Sequence, residues 1–428
     1  MRAPAVEVVP NGPVRGVVRA PPSKSVTNRL LVLAALAEGT SALHSPLDSD
    51  DSAAMRSCVE ALGAATAIEG GAWKVVGTGG APRSLRAVLD ARLSGTTARF
   101  VTAMATLGDT GSIITGHAPL RRRPIRPLVD ALAALGGRLR DTDGGLPVHV
   151  DGGGLDGGAV SVEVSASSQF ASALLMVAPY ARHDVVCEVV GRSAQDYIEL
   201  TTSAMAEWGA RIARRDDGLW QVAAGSGYVA RSVEVEYDAS AAAHLFALAV
   251  ATGGAVTVAN TTPDSRQPDA RVTEVLQQLG AAVVRDGRAV TVTANGSLHP
   301  IDVSLAAMPD QVTTLAVLAA LAPGVSVLRD VGVARLHETD RLDALATELA
   351  KVGVQVQAAP DILTIHGGTV RGPASLSTYN DHRLAMAFAA LGARVADIMV
   401  EDPGCVAKTY PQFWEDLASL GGRWEERQ

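Results

Sequence analysis

Eight short polar stretches hold most of the residues in this chain whose types and spacing could do chemistry. They are SKSVTNR (23–29), SGTTAR (94–99), RRRPI (121–125), SASSQF (165–170), MPDQVTT (308–314), HETDR (337–341), YNDHR (379–383) and AKTYP (407–411). Together they supply the cations Lys24, Arg29, Arg123, Arg341, Arg383 and Lys408, and the acids Asp310, Glu338, Asp340 and Asp381. Six converging cations would suit two phosphate-like groups, because Arg forks pair with oxyanions through two bonds at once. Ser25, Ser167, Ser168 and Gln169 would complete the hydrogen bonding to one phosphate and to sugar-like hydroxyls. Carboxylates beside such a cluster suit proton transfer. Lysine use sharpens this. Of 37 basic residues only four are lysines, and two of those, Lys24 and Lys408, are flanked by small and hydroxyl residues. Lysine, unlike arginine, can give up a proton, so these two are candidate proton donors. Lys74 and Lys351 sit in amphipathic contexts and are expected to be solvated.

Each stretch also has a plainer reading. Ser and Thr ahead of an apolar run, as in SKSVTNR before Leu30–Ala37, cap a helix. SASSQF and HETDR fit caps too, RRRPI a solvated edge, NDHR a turn with its own ion pair, and GGGLDGG (152–158) a turn. Position favours chemistry, since the eight stretches fall at equivalent points of an internal repeat. A helical pattern ending in Gly, then a strand, a turn and a second strand, recurs with marker glycines Gly63, Gly136, Gly209, Gly280, Gly353 and Gly421. Each lies 68 to 73 residues after the last. The glycines read as helix C-terminal positions of positive φ, and the Asp-Gly and Gly-Gly pairs beyond them as hairpin turns. An apolar Ala-rich helix, a short strand and a polar loop precede each marker helix. The whole makes a βαβαββ unit of α/β (α+β) class. Six such units exceed a solenoid repeat in size, and two groups of three fit the usual domain size better. Polar stretches near Pro21 and at Tyr237–Ser240 are the expected crossovers. They predict one discontinuous domain of residues 1–21 plus 237–428 and a second of residues 22–236.

Composition narrows the partners. The 428 residues are 47% hydrophobic but only 4% aromatic, so a large core must be mostly Ala, Val and Leu. A net charge of −8 argues against nucleic acid or an anionic membrane as the main partner. Three cysteines, Cys58, Cys187 and Cys405, make neither a disulfide framework nor a metal knuckle, and point to a reducing cytoplasm. None of the nine histidines has metal-ligand spacing, and no apolar run approaches a membrane span. No metal is expected.

SKSVTNR, SGTTAR, RPI, SSQF, HETDR, NDHR and AKTYP, in this order, resemble the EPSP synthase family, the 3-phosphoshikimate 1-carboxyvinyltransferases of the shikimate pathway and aromatic amino-acid biosynthesis. The resemblance implies two similar domains of the inside-out α/β barrel type, with the active site in the cleft between them. It implies transfer of the enolpyruvyl group of phosphoenolpyruvate to the 5-hydroxyl of shikimate 3-phosphate, by addition and then elimination of phosphate, with no cofactor. It assigns shikimate 3-phosphate to Lys24, Ser25, Arg29, Ser167, Ser168, Gln169, Ser193, Asp310 and His337. Phosphoenolpyruvate falls to Lys24, Gly95, Arg123, Gln169, Arg341, Arg383 and Lys408, and acid–base work to Asp310 and Glu338 with Lys24 and Lys408. A cytoplasmic monomer is expected. Four positions depart from the family pattern: Pro22 for Gly, Leu93 for Asn, His337 for Lys, and Ala194 for Ser, with Ser193 adjacent. Leu93 removes an amide donor, and Phe100 stands where many members have Pro. Weakened binding of phosphoenolpyruvate, and of glyphosate in the same subsite, is the expectation. Two alternatives stay open: a UDP-N-acetylglucosamine enolpyruvyl transferase, and a non-catalytic anion-binding relative.

Overall fold

The computed structural model describes residues 4–83, 87–191 and 195–427. The repeat read from the glycines organises it. The marker helices Asp50–Ala61, Arg126–Ala134, Asp196–Glu207, Val272–Gln278, Arg341–Lys351 and Phe413–Ser419 each end one residue short of their glycine. Those six glycines have φ between 86° and 102°, a region that side chains enter only under strain. Past the first of them, Gly70 and Gly71, both with positive φ, turn the strand Ala65–Glu69 back onto Ala72–Val76. Every repeat makes one four-stranded sheet of the same order. In the fifth, Asp302–Ser304 runs parallel to Gly324–Arg329, which pairs antiparallel with Ile362–Gly367, itself paired with Gln355–Ala358.

The chain divides into two compact lobes, Met1–Pro21 with Glu236–Gln428 and Pro22–Val235. Each has three of the sheets and its own apolar core. In the first lobe the strand Ala5–Val9 inserts between Ile398–Glu401 and Arg423–Arg427, and Arg15–Val18 joins Ala255–Val258 in parallel. In the second, Ser232–Glu234 returns to complete the sheet begun by Thr40–His44.

Each lobe is built around three central helices, which all pack against one another in the first lobe, while in the second Gly95–Thr106 packs against the other two. In the first lobe these are Ala239–Thr252, Val312–Leu321 and His382–Gly392, and in the second Lys24–Leu36, Gly95–Thr106 and Gln169–Val177. They are buried along almost their whole length, with their polar residues gathered mainly in the first turns. All 14 residues of Ala239–Thr252 are buried. Small Ala and Val side chains suit such packing, which is why so few aromatics suffice. The polar stretches lie chiefly at the starts of these central helices and in the loops leading to the marker helices.

Candidate active site

In the first lobe a single guanidinium ties the site together. Arg341 opens the helix Arg341–Lys351, whose N-cap Asp340 accepts from the amides of Leu342 and Asp343. Its side chain is 1% exposed. Nε donates to Asp381 Oδ2 at 2.7 Å and Nη2 to Asp381 Oδ1 at 3.2 Å. Nη2 also reaches Glu338 Oε2 at 2.9 Å, while Nη1 donates to Asp310 Oδ1 at 2.7 Å and lies 2.9 Å from His337 Nδ1. Two more cations close the network. Lys408 Nζ donates to Glu338 Oε1 at 2.7 Å, and Arg383 Nη2 to Asp310 Oδ2 at 2.8 Å. Three carboxylates therefore interleave with three cations. Asp381 is fully buried and caps the helix His382–Gly392 through the Arg383 amide, whereas Asp310 and Glu338 keep 25% and 15% of their side chains exposed.

This arrangement sets the protonation states. Burial opposes ionisation of Asp310, but Arg383, His337 and Arg341 outweigh it and hold the carboxyl well below its usual range. Burial likewise works against the charge on Arg341, and Asp381, Glu338 and Asp310 more than restore it. His337, 3.2 Å from Asp310 Oδ1, is held below its ordinary value by burial in spite of that carboxylate. Behind the network His244 is fully buried. Its Nδ1 is 3.2 Å from Thr314 Oγ1, and its pKa is driven well down by burial and then by Arg383 and Arg341.

The second lobe presents a different chemistry, with serines at the mouths of its helices. Ser23 Oγ caps Lys24–Leu36 by accepting from Val26 N, and Ser94 Oγ caps Gly95–Thr106 by accepting from Thr97 N and Thr97 Oγ1. Ser168 stands at the N-cap of Gln169–Val177 without a side-chain cap bond. Lys24 Nζ lies 3.6 Å from Asp51 Oδ2, and the Asp51 carbonyl accepts from Thr97 Oγ1, which links the first two helix starts. Arg99 links the second to the third, its Nη1 donating to Gln169 Oε1 at 2.8 Å and to Ser167 Oγ at 3.2 Å. Arg29 is 3% exposed, and its partners are the Thr201 hydroxyl, the Ser25 and Tyr197 carbonyls and the rings of Phe100 and Tyr197. No carboxylate pairs with it among the described residues, and burial lowers its pKa to about 10. A Cβ at Gly95 would lie 2.9 Å from Arg123 Nη1, so any larger residue there would displace that guanidinium.

The structure thus brings Asp310, His337, Glu338, Arg341, Arg383 and Lys408 into one network, and places Lys24, Ser25, Arg29, Gly95, Arg123, Ser167, Ser168 and Gln169 about the helix mouths of the other lobe. Ser193 and Ala194 lie outside the described residues. Lys74, paired with Glu69, is half exposed as expected. Lys351 is not simply solvated: it donates to buried Glu348 at 2.6 Å and to the Ser375 carbonyl at 3.1 Å. Phe100 packs in the core beneath Arg29. Arg99 and Asp51 were not among the expected site residues, although Arg99 ends SGTTAR; Asp381, one of the four candidate acids, had no assigned role and is the one that grips Arg341 through two bonds. Among the described residues no three His, Cys, Asp or Glu side chains are grouped to hold a metal ion.

A family model for EPSP synthase (3-phosphoshikimate 1-carboxyvinyltransferase) matches residues 8–417. A 3-phosphoshikimate 1-carboxyvinyltransferase of Nostoc punctiforme is 39% identical over 94% of this chain and 96% of its own length. One from Methanosphaerula palustris is 39% identical over 96% of this chain and 98% of its own. Among solved structures, EPSP synthase from Acinetobacter baumannii superposes with a TM-score of 0.83 at 24% identity, covering 99% of this chain and all of that one. The enolpyruvyl transferase NikO from Streptomyces tendae gives 0.81 at 16% identity, covering 100% and 99%. The architecture is therefore the one that enolpyruvyl transferases share, two lobes of three βαβαββ units each. Within that class, the chain belongs to the EPSP synthase family.

Proposed function

We infer that this chain carries out its family's reaction, moving the enolpyruvyl group of phosphoenolpyruvate onto the 5-hydroxyl of shikimate 3-phosphate and releasing phosphate. One observation carries the mechanism: carboxylates and cations interleaved around Arg341, with Asp310 and Glu338 the partly exposed members. Lys24, Ser25, Arg29, Ser167, Ser168, Gln169 and Ser193 hold shikimate 3-phosphate, with Asp310 and His337 at its ring. Lys24, Gly95, Arg123, Gln169, Arg341, Arg383 and Lys408 take phosphoenolpyruvate.

Asp310, gripped by two arginines, is a weak base in the structure described. The carboxylate and phosphate of phosphoenolpyruvate compete for the same guanidinium groups. As they take Arg341, Arg383 and Lys408, Asp310 and Glu338 lose their partners and gain basicity. Binding therefore arms the acid–base pair. Asp310 then accepts the 5-hydroxyl proton while that oxygen bonds to C2, and Glu338, which takes up a proton as its cation partners leave it, delivers that proton to the methylene carbon. In the second step Glu338 takes a methyl proton back, and phosphate leaves with the C2–O electron pair. We further propose a cytoplasmic monomer acting on these two small molecules alone, in keeping with the negative net charge.

The test is phosphate release from phosphoenolpyruvate, dependent on shikimate 3-phosphate. Asp310→Asn and Glu338→Gln should fold, bind shikimate 3-phosphate and lose roughly 10²–10⁴-fold in turnover, the usual worth of a general acid or base. Near-normal turnover in either variant removes that residue from the mechanism.

A further inference from the structure

Two turns beyond Arg341, on the same helix and the same buried stripe as Leu345, stands Glu348. It is 0% exposed and accepts three hydrogen bonds: from Lys351 Nζ at 2.6 Å, from the Ser377 amide at 2.9 Å and from the Tyr379 hydroxyl at 2.7 Å. Two of these donors belong to the turn that enters the helix His382–Gly392. That turn closes by an Asp381 N–H bond to the Thr378 carbonyl at 2.8 Å. It contains two successive non-glycine residues in the left-handed region, Tyr379 at φ 53° and Asn380 at φ 58°. A bulky residue such as tyrosine rarely takes that conformation, which persists only when its surroundings enforce it. Glu348 supplies the enforcement, holding the backbone before the strained pair and the side chain within it. Burial, and then the bond to Glu348, push the Tyr379 hydroxyl up to about 12, so it remains a donor at neutral pH.

The turn delivers the residues on which the first-lobe network depends. Its next residue, Asp381, grips Arg341 through two bonds, and the residue two further on, Arg383, reaches Asp310. A closed circuit results: Glu348 to the turn, the turn to Asp381, Asp381 to Arg341, and Arg341 along its own helix back to Glu348.

We propose that Glu348 is a positioning residue for phosphoenolpyruvate, aiming Arg341 and Arg383 by locking the Ser377–Asp381 turn. The proposal rests on the assignment of those two arginines to phosphoenolpyruvate. Glutamine at 348 keeps the size but loses the charge that pairs with Lys351, and with its oxygen kept toward Lys351 and the Ser377 amide its NH₂ faces the Tyr379 hydroxyl, which must turn from donor to acceptor and so weakens the clamp. Released from its clamp, the turn relaxes and the arginines lose their aim.

The experiment measures KM for phosphoenolpyruvate, kcat and thermal midpoint for Glu348→Gln, Tyr379→Phe, and each combined with Asn380→Gly. Glycine takes φ near +58° without strain, so it removes the need for enforcement at that residue. Glu348→Gln should raise KM about tenfold or more with kcat changed less than about threefold, and Tyr379→Phe should move KM in the same direction by less. Asn380→Gly should restore most of the loss in both backgrounds. An unchanged KM, or a loss that Asn380→Gly leaves unrepaired, overturns the proposal. Should Glu348→Gln fail to fold, the Tyr379→Phe pair decides it on the same criteria. Arg383→Lys is the control. If it leaves KM unchanged, the arginine assignment fails and the proposal with it, whereas a raised KM there beside normal values for the Glu348 and Tyr379 variants rejects the proposal alone.

Discussion

A buried neutral histidine is a liability in acid, and His244 is one. The folded chain declines a proton that the unfolded chain takes up near the ordinary value of 6.5. Its contribution to stability is therefore fully present above about pH 6.5 and drains away as pH falls toward the lowered folded value, at up to about 1.4 kcal/mol per pH unit. The groups around it are Thr314, Arg383, Arg341 and Asp310, and the two arginines make any charge on the imidazole still less welcome. His337 is shifted in the same direction and adds to the effect. Asp310 does not contribute in this window, since its unfolded value lies near 3.8. Urea unfolding of the wild type should show stability dropping between pH 6.5 and 5, and His244→Gln should flatten that drop. An equal slope in both would place the acid sensitivity elsewhere.

At the level of elements, the two lobes begin their central helices differently. In the second lobe the N-caps are Ser23, Ser94 and Ser168, whereas in the first Asp238 and Asp381 cap two helices and Asp310 sits just ahead of the third. A neutral cap leaves the positive end of the helix dipole available to a visiting anion, and a carboxylate cap spends it within the protein. Ser94→Asp separates the two uses. Aspartate caps a helix about as well as serine, so the thermal midpoint should hold, but a negative charge beside Gly95 and Arg123 should raise the phosphoenolpyruvate KM by about tenfold. An unchanged KM would mean this helix mouth does not face the anion. The cationic residues and the repeat were legible in the sequence because both break or mark a period: glycines where φ must be positive, and Arg or Lys where a repeat of apolar helices should have none. Glu348 and Asp51 were not. An acid on an amphipathic helix looks the same in sequence whether water or a buried cation faces it. Only the spacing Arg341–Leu345–Glu348, one stripe of one helix, hinted that this acid turns inward.

For the molecule as a whole, connectivity makes the lobes unequal. Every strand of the second lobe lies within its own continuous stretch, Pro22–Val235, while the first lobe draws two strands from the chain's first 18 residues. Residues 22–235 expressed alone should give a cooperative thermal transition and protected amides in all three sheets. Residues 236–428 alone should not, because one of their sheets lacks its interior strand and another its edge strand. Equal folding of the two pieces would mean that the N-terminal strands contribute little to the first lobe.

The seat of Ala5–Val9 between two of the last strands also bears on how the protein is made. Residues 5–9 find both neighbours only among residues 398–427, so the lobe they belong to cannot close until those late residues have been made. The second lobe, complete by residue 235, can already have collapsed by then. During translation the amino-terminal strands must wait beside a finished lobe that offers them no partner. An extended Val-rich segment with both edges open is a template for pairing with other chains. The interval between the making of Ala5–Val9 and of its partner strands is therefore the stage at which this fold is most exposed to aggregation, and at which a chaperone bound to that strand has the most to protect.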